Sequence, residues 1–143
     1  MSRTSCRLSK SLALLLAAAV WLAGAAAAQP RPEAEAREVI MRQLAAFRAG
    51  DYRTAYSFAS EEIQSLFDLS GFERMVKGGY PQIARSTDAW VTEASLAPDG
   101  RLYVRLRIRG ADGVFIEALY EMVWDESRWR INGVVTRPAS GAI

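Results

Sequence analysis

The sequence predicts an α+β domain in which N-terminal helices pack on one face of an antiparallel sheet. Between residues 33 and 79, apolar side chains recur at spacings of three and four, which is typical of amphipathic helices. Near residue 89 the pattern changes to alternation, which indicates half-buried strands. A run of helices followed by a run of strands favours segregated layers.

The first 28 residues have the pattern of a secretory signal peptide. Three basic residues lie within the first ten positions, residues 12–22 form an uninterrupted apolar run, and residues 26–28 are alanines. We expect residues 1–28 to be removed and the mature chain to be periplasmic or secreted. The alternative is an uncleaved anchor, since this segment could just span a bilayer of about 30 Å. Any membrane contact is then expected through this segment alone.

Composition excludes several functional classes. The chain has 143 residues, 50% of them hydrophobic, which is enough for one domain with a real core. It has no histidine, so imidazole-based triads, zinc sites and haem ligation are excluded, and we expect no metal and no cofactor. Residues after 28 hold all 16 acids but only 15 of the 18 basic residues, a formal charge of −1. We therefore expect no nucleic-acid partner.

The mature chain divides into a linker, one domain and a tail. Residues 29–35 contain two prolines and are expected to be a linker, followed by a domain over residues 36–137 and a tail over 138–143. Helical periodicity begins near Glu33. Gly50 is expected to end the first helix.

Three shorter helices are predicted to follow. Asp51 is placed to cap the second helix, and Ser60 is placed to cap the third. Ser70 and Glu73 have the spacing of a capping box for the fourth. The glycines at 78–79 are expected to end it.

Four strands are predicted to form a meander. Their ranges are Ala89 to Leu96, Arg101 to Arg109, Val114 to Trp124 and Trp129 to Val135. Gly100 and Gly113 end three-residue loops, and a four-residue loop over 125–128 joins the last two strands. Together these loops predict the register.

The predicted register separates an apolar face from an ionic face. In the first hairpin the pairs are Leu96 with Leu102, Ala94 with Val104, Thr92 with Leu106, and Trp90 with Ile108. In the second they are Ile108 with Ile116, Leu106 with Ala118, Val104 with Tyr120, and Leu102 with Met122. In the third they are Trp124 with Trp129, and Met122 with Ile131. We expect the helices to cover the face that contains these pairs, called here the inner face.

The opposite, outer face is predicted to carry a row of charged side chains. Its predicted members are Glu93, Tyr103, Arg105, Arg107, Arg109, Glu117, Glu121, Arg130 and Asn132. Arg107 falls opposite Glu117, so acids offset the arginines. An ordinary solvated surface explains this pattern, and the alternative is a homodimer formed through the sheet face.

The candidate binding residues are polar tips on otherwise apolar surfaces. The inner face contains no Asp, Glu, Lys or Arg by this register, so a buried catalytic acid is not expected there. Residues that could line a pocket for a small apolar ligand are Tyr56, Tyr80, Trp90, Thr92 and Tyr120. The alternative is that these side chains are ordinary core residues with satisfied polar atoms.

An ordered set of short motifs resembles a bacterial family of unknown function, DUF4864. The motifs are Gln43 to Phe47, Ala55, Phe58 to Ser60, Ile63, Phe67, Phe72, Met75-Val76, Gly79 to Pro81, Leu119 to Glu121 and Trp129 to Ile131. The resemblance covers roughly residues 38–135. It implies a curved sheet and a cone-shaped fold similar to nuclear transport factor 2 and ketosteroid isomerase. It implies no established activity, and the isomerase's catalytic acids have no match here.

Two functional hypotheses follow from these observations. The first is an exported, non-enzymatic module that binds a small apolar ligand or a protein partner. The second is an isomerase or dehydratase with an acid or base in the cone, for which Asp51, Asp88 and Glu93 are the candidates.

Overall fold

The computed structural model describes residues 31–141, and its elements confirm the α+β class. They are α1 (Pro32–Arg48), α2 (Tyr52–Ser57), α3 (Glu61–Leu66), α4 (Leu69–Gly79), α5 (Pro81–Ala84), β1 (Ser86–Leu96), β2 (Leu102–Gly110), β3 (Phe115–Asp125) and β4 (Arg128–Pro138). The strands form one open antiparallel meander in the order β1-β2-β3-β4. The predicted signal peptide lies outside the described residues. None of the helices within 31–141 has the length and apolarity needed to cross a bilayer.

Helix α1 begins earlier than the domain boundary at residue 36 suggests. It starts at Pro32, so residues 32–35, expected to be linker, are helical. Proline suits the first helical position because a backbone N–H at that position would have no partner within the helix. Glu33 and Glu35 lie in the first turn, where the positive end of the helix dipole stabilises their charge. Gly50 follows the helix with φ +70°, a left-handed conformation that confirms its predicted role.

Side chains cap the next three helices. Asp51 and Ser60 accept hydrogen bonds from backbone amides three residues further along, as predicted. The predicted capping box of α4 is wrong, because Asp68 caps this helix and accepts from the amide of Gly71 at 2.6 Å. Ser70 already lies in the first turn.

The registers of the second and third hairpins are confirmed at every predicted pair. Alternate residues of β2 therefore point into the core, and all four are fully buried: Leu102, Val104, Leu106 and Ile108. On the outer face, Arg107 lies opposite Glu117 as predicted. The centre of the sheet thus follows directly from the alternation of the sequence.

The first hairpin departs from the prediction because β1 contains a β-bulge at Thr92. Leu96 and Ala94 keep their predicted partners, but the register shifts between Val91 and Glu93. A bulge inserts one residue, so the side chains between Thr92 and a further register shift at Thr87 change face. Trp90 therefore lies opposite Arg107 on the outer face, where it is 43% exposed. The predicted inner-face positions of Trp90 and Thr92 are wrong.

Part of the inner face lies outside the helical cover. Leu96 and Trp124 have the predicted strand positions, but they are 53% and 56% exposed. Trp124 packs edge-on against Trp129, with ring centroids 5.4 Å apart. The prediction that helices cover both residues is wrong, because the helices leave this end of the sheet open.

Arg130 is buried, although it was predicted to lie on the solvated face. It is 7% exposed, and Nη1 donates to the carbonyl oxygens of Ser57 and Ala59 at 3.2 and 3.1 Å. Nη2 donates to Glu126 Oε2 at 2.6 Å. Ala59 also forms a parallel bridge with Ile131, so Arg130 fastens the segment after α2 to the edge of β4.

Candidate binding cavity

A small apolar cavity lies between the helices and the inner face of the sheet. Its volume is ≈ 60 Å³, and its walls include Phe47, Ile63, Phe72, Met75, Val76 and Ile83. A water molecule needs about 15 Å³ of such space, so the cavity has room for about four waters or an organic group of similar size. Apolar walls with few polar atoms are typical of small-ligand sites.

Tyr120 combines a side chain that lines this cavity with a hydroxyl that has no hydrogen-bond partner. The residue projects from β3, lines the cavity and is 1% exposed. Its oxygen is buried and forms no hydrogen bond. Burial raises the pKa of the Tyr120 hydroxyl above its ordinary value of 10.0, so the group stays protonated and remains a hydrogen-bond donor.

Gln43 is the buried amide of the cavity wall. Its Nε2 donates to the carbonyl oxygen of Ala55 at 3.1 Å, which ties α1 to α2. The side chain is 4% exposed. One polar function of Gln43 is thus structural and holds the two helices around the cavity.

Half-buried side chains form the rim. Tyr80 lies between α4 and α5 and donates from its hydroxyl to the carbonyl oxygen of Val134 at 3.3 Å. Met75 and Val134 line the same rim. Methionine adapts its shape easily, so this side of the rim can adjust to an occupant.

A β-bulge in β4 positions this strand at the cavity. The register shifts between Glu121 and Met122, so that Asn132 is the extra residue and Val134 lies opposite Tyr120. Asn132 Nδ2 donates to Glu121 Oε1 at 2.8 Å, and Asn132 Oδ1 accepts from the Ser60 hydroxyl at 2.6 Å. These bonds hold the bulge and thereby keep Val134 on the inner face.

The carboxylates lie away from the cavity. Asp51 caps α2, while Asp88 and Glu93 are exposed beside arginines. Glu117 and Glu121 lie on the outer face, as predicted. Their ion-pair partners differ in part from the expected ones: Glu121 pairs with Arg101, and Glu117 pairs with Arg137 and, at 3.9 Å, with Arg105. The ionisable residues among those that line the cavity are accordingly two tyrosines, Tyr80 and Tyr120.

Two of the five predicted ligand-binding residues meet at the cavity. Tyr80 and Tyr120 line it. The Tyr56 hydroxyl points elsewhere and donates to the Phe67 carbonyl oxygen at 2.5 Å. Trp90 and Thr92 lie on the other side of β1, and Thr92 donates to a backbone carbonyl from an exposed position.

Sequence reasoning missed Gln43 and the bulge at Asn132. Gln43 occupies the apolar stripe of α1, and a polar residue in such a stripe is the signal that could have identified it. No sequence signal locates the bulge, because the Asn-Gly pair at 132–133 resembles a turn as much as a bulge.

Within residues 31–141, no group of three or more acidic, cysteine or histidine residues could hold a metal ion. The family model described as Domain of unknown function (DUF4864) matches residues 29–142. No curated protein matches the chain.

Proposed function

The chain belongs to the DUF4864 family, and we propose that it is a non-enzymatic binding module for a small apolar molecule that carries one hydrogen-bond-accepting oxygen. The observation that carries this proposal is the buried, unpartnered hydroxyl of Tyr120, a residue whose side chain lines an apolar cavity.

The unpaired hydroxyl favours a ligand with an oxygen acceptor. A buried hydroxyl without a hydrogen bond costs about 1–3 kcal/mol. A ligand that moves the side chains covering this hydroxyl could bring a carbonyl, ether or hydroxyl oxygen to it, accept a hydrogen bond from Tyr120 and remove that cost. The raised pKa supports the same direction of donation, since the protonated group can donate at all physiological pH values.

The cavity volume limits the size of the bound group. A space of ≈ 60 Å³ accommodates about four or five non-hydrogen atoms, and a larger ligand would extend past the half-buried rim. Binding energy rarely exceeds about 1.5 kcal/mol per non-hydrogen atom, so a fragment of this size is expected to bind weakly.

Tetrahydrofuran and cyclopentane provide a matched pair of probes. Both have five ring atoms, and only tetrahydrofuran has an oxygen acceptor. We expect tetrahydrofuran to bind about tenfold more tightly, because one net hydrogen bond is worth about 1 kcal/mol or slightly more. Nuclear magnetic resonance titration of the ¹⁵N-labelled mature domain measures both affinities and locates the perturbed residues.

The Tyr120→Phe variant tests the role of the hydroxyl. It should bind cyclopentane as the parent does and lose the preference for tetrahydrofuran. Tyr56→Phe is the control, since its hydroxyl lies outside the cavity. Equal affinity of the parent for both probes, or perturbed residues remote from the cavity, would refute the proposal.

We also propose the nuclear transport factor 2-like cone and export of the mature domain. The helices on one face of a bulged meander support the cone, and the pattern of residues 1–28 supports export. Periplasmic or culture-medium recovery of a shortened chain, with mass spectrometry of its new N-terminus, tests the export.

A homodimer through the sheet face is the second candidate. The outer face is more apolar than predicted, because Trp90 packs against Phe115 there with ring centroids 6.1 Å apart. Arginines and glutamates on the same face also allow a second copy to pair with it. Sedimentation should show a dimer weakened by Trp90→Ser and unaffected by Trp124→Ser, an exposed tryptophan on the opposite face. A strictly monomeric parent would contradict this candidate.

A further inference from the structure

A groove of ≈ 500 Å³ lies outside the apolar cavity and carries basic side chains. We call it the basic groove; its lining includes Tyr52, Lys77, Arg48, Arg85 and Ser86. Four of these residues come from α1, α2, α4 and the beginning of β1, and Arg85 lies between α5 and β1. Phe47 lines both the groove and the cavity, so the two sites are neighbours with different chemistry.

The basic groove has an excess of positive charge. Its acid is Glu73, which pairs with Lys77. Within residues 31–141, Arg48 and Arg85 form no ion pair. The charged row of the outer face differs, because most of its arginines have carboxylate partners. Two guanidinium groups are therefore available to an external anion.

Local contacts partly preorganise these cations. Arg48 Nη1 donates to the Ser86 hydroxyl at 3.2 Å, and Ser86 is 2% exposed. Because this hydroxyl accepts from Arg48, its own proton can be donated to another group. The Lys77 ammonium lies 4.9 Å from the centre of the Tyr52 ring, an attraction that holds it at the wall of the groove.

We propose that the basic groove binds a small oxyanion of high charge, with phosphate groups as the favoured chemistry. The planar guanidinium groups of Arg48 and Arg85 suit paired hydrogen bonds to phosphate oxygens. Ser86 supplies a hydroxyl donor, while the charge of Lys77 is balanced by Glu73. This site is independent of the oxygen-bearing ligand proposed for the cavity.

Calorimetric titration with inorganic pyrophosphate at constant ionic strength tests the proposal. Arg48→Gln and Arg85→Gln should each weaken binding about tenfold, because each removes a charged donor. Arg37→Gln is the matched control: it removes an exposed arginine from the same helix as Arg48, outside the groove, and should change the affinity less than twofold. Tetrahydrofuran binding should be the same in all four proteins.

Other outcomes would overturn the proposal. The first is a lack of pyrophosphate binding at 10 mM, roughly the limit of weak association. The second is equal weakening by all three substitutions, which indicates general electrostatic attraction. A second arm uses vesicles that contain phosphatidylglycerol. Binding to these vesicles without binding to pyrophosphate would assign the groove to a lipid surface and refute the small-anion site.

Discussion

Replacement of Tyr120 by phenylalanine should stabilise the unliganded protein. The substitution keeps the ring between the helices and β3 and removes only the hydroxyl. In the folded protein this oxygen is buried and has no hydrogen-bond partner, whereas in the unfolded chain water solvates it. Folding therefore costs the hydroxyl its hydration without replacement.

The expected gain is about 1–2 kcal/mol, within the usual cost of burying an unsatisfied hydroxyl. For a domain of this size, one kcal/mol changes the melting temperature by about 3–6 °C. The same substitution should weaken oxygen-bearing ligands. A gain in stability together with a loss of binding is typical of a residue retained for a ligand.

Urea denaturation and calorimetry of the mature domain measure the stability change. Tyr80→Phe is the control with the opposite sign: it removes a donor that is bonded to the Val134 carbonyl, so a loss of about 1 kcal/mol is expected. If Tyr120→Phe is destabilised by as much as Tyr80→Phe, the Tyr120 hydroxyl has a partner in solution and the reasoning is wrong.

Three further predictions concern the scaffold. Arg130→Ala should lower the free energy of unfolding by about 3 kcal/mol, because two backbone carbonyls and a carboxylate lose their hydrogen-bond donor. The control is Arg128→Ala, which removes an exposed arginine and should change this free energy by less than about 0.5 kcal/mol. Urea denaturation measures both variants, and equal effects would contradict a structural role of the buried Arg130. Gly110→Ala should destabilise the protein by about 1–3 kcal/mol, since the new Cβ would lie 2.6 Å from the Asp112 carboxylate oxygen. Gly78→Ala should stabilise it by about 0.5–1 kcal/mol, because the added Cβ has no atom within 4 Å and alanine favours a helix. Thermal denaturation should shift in opposite directions for the two variants. Hydrogen bonds from Thr54 lower the pKa of Asp51 below 3.8, so the ionised carboxylate contributes its full stabilisation above about pH 4 and loses it as the pH falls through the lowered pKa. Asp51→Asn should remove this part of the pH dependence in denaturation curves between pH 6 and 2. An unchanged profile would show that Asp51 makes no such contribution.

The sequence was sufficient for the elements where one physical pattern acts alone. Strands β2 and β3 alternate strictly, and glycines fix the loop at Gly113, so a single register satisfies both constraints. The caps at Asp51 and Ser60 likewise depend on local hydrogen bonds that the residue types specify. Such features need no knowledge of the rest of the molecule.

The prediction failed where distant contacts decide the outcome. The bulge at Thr92 moves Trp90 to the outer face, where it meets Phe115 and Arg107, residues that lie on other strands. Arg130 is buried because the segment after α2 returns to β4 and offers its carbonyl oxygens. The alternation of residues along a single strand does not indicate either of these contacts.

The bulges at Thr92 and Asn132 together determine the chemistry of the cavity. The first moves the Trp90 side chain, with its indole N–H, away from the inner face, and the second brings Val134 opposite Tyr120. Tyr80 satisfies its hydroxyl on the Val134 carbonyl, and Gln43 bonds to Ala55. Tyr120 is then the residue of the cavity wall whose side-chain polar atom has no partner. A one-residue deletion at Asn132 would remove the bulge but keep Gly133 opposite Glu121 and Val134 opposite Tyr120, while the hydrogen bonds of Asn132 to Glu121 and Ser60 are lost. We therefore expect this deletion to lower the stability and to leave the discrimination between tetrahydrofuran and cyclopentane unchanged. Lost discrimination in a folded deletion variant would show that the extra residue itself shapes the site.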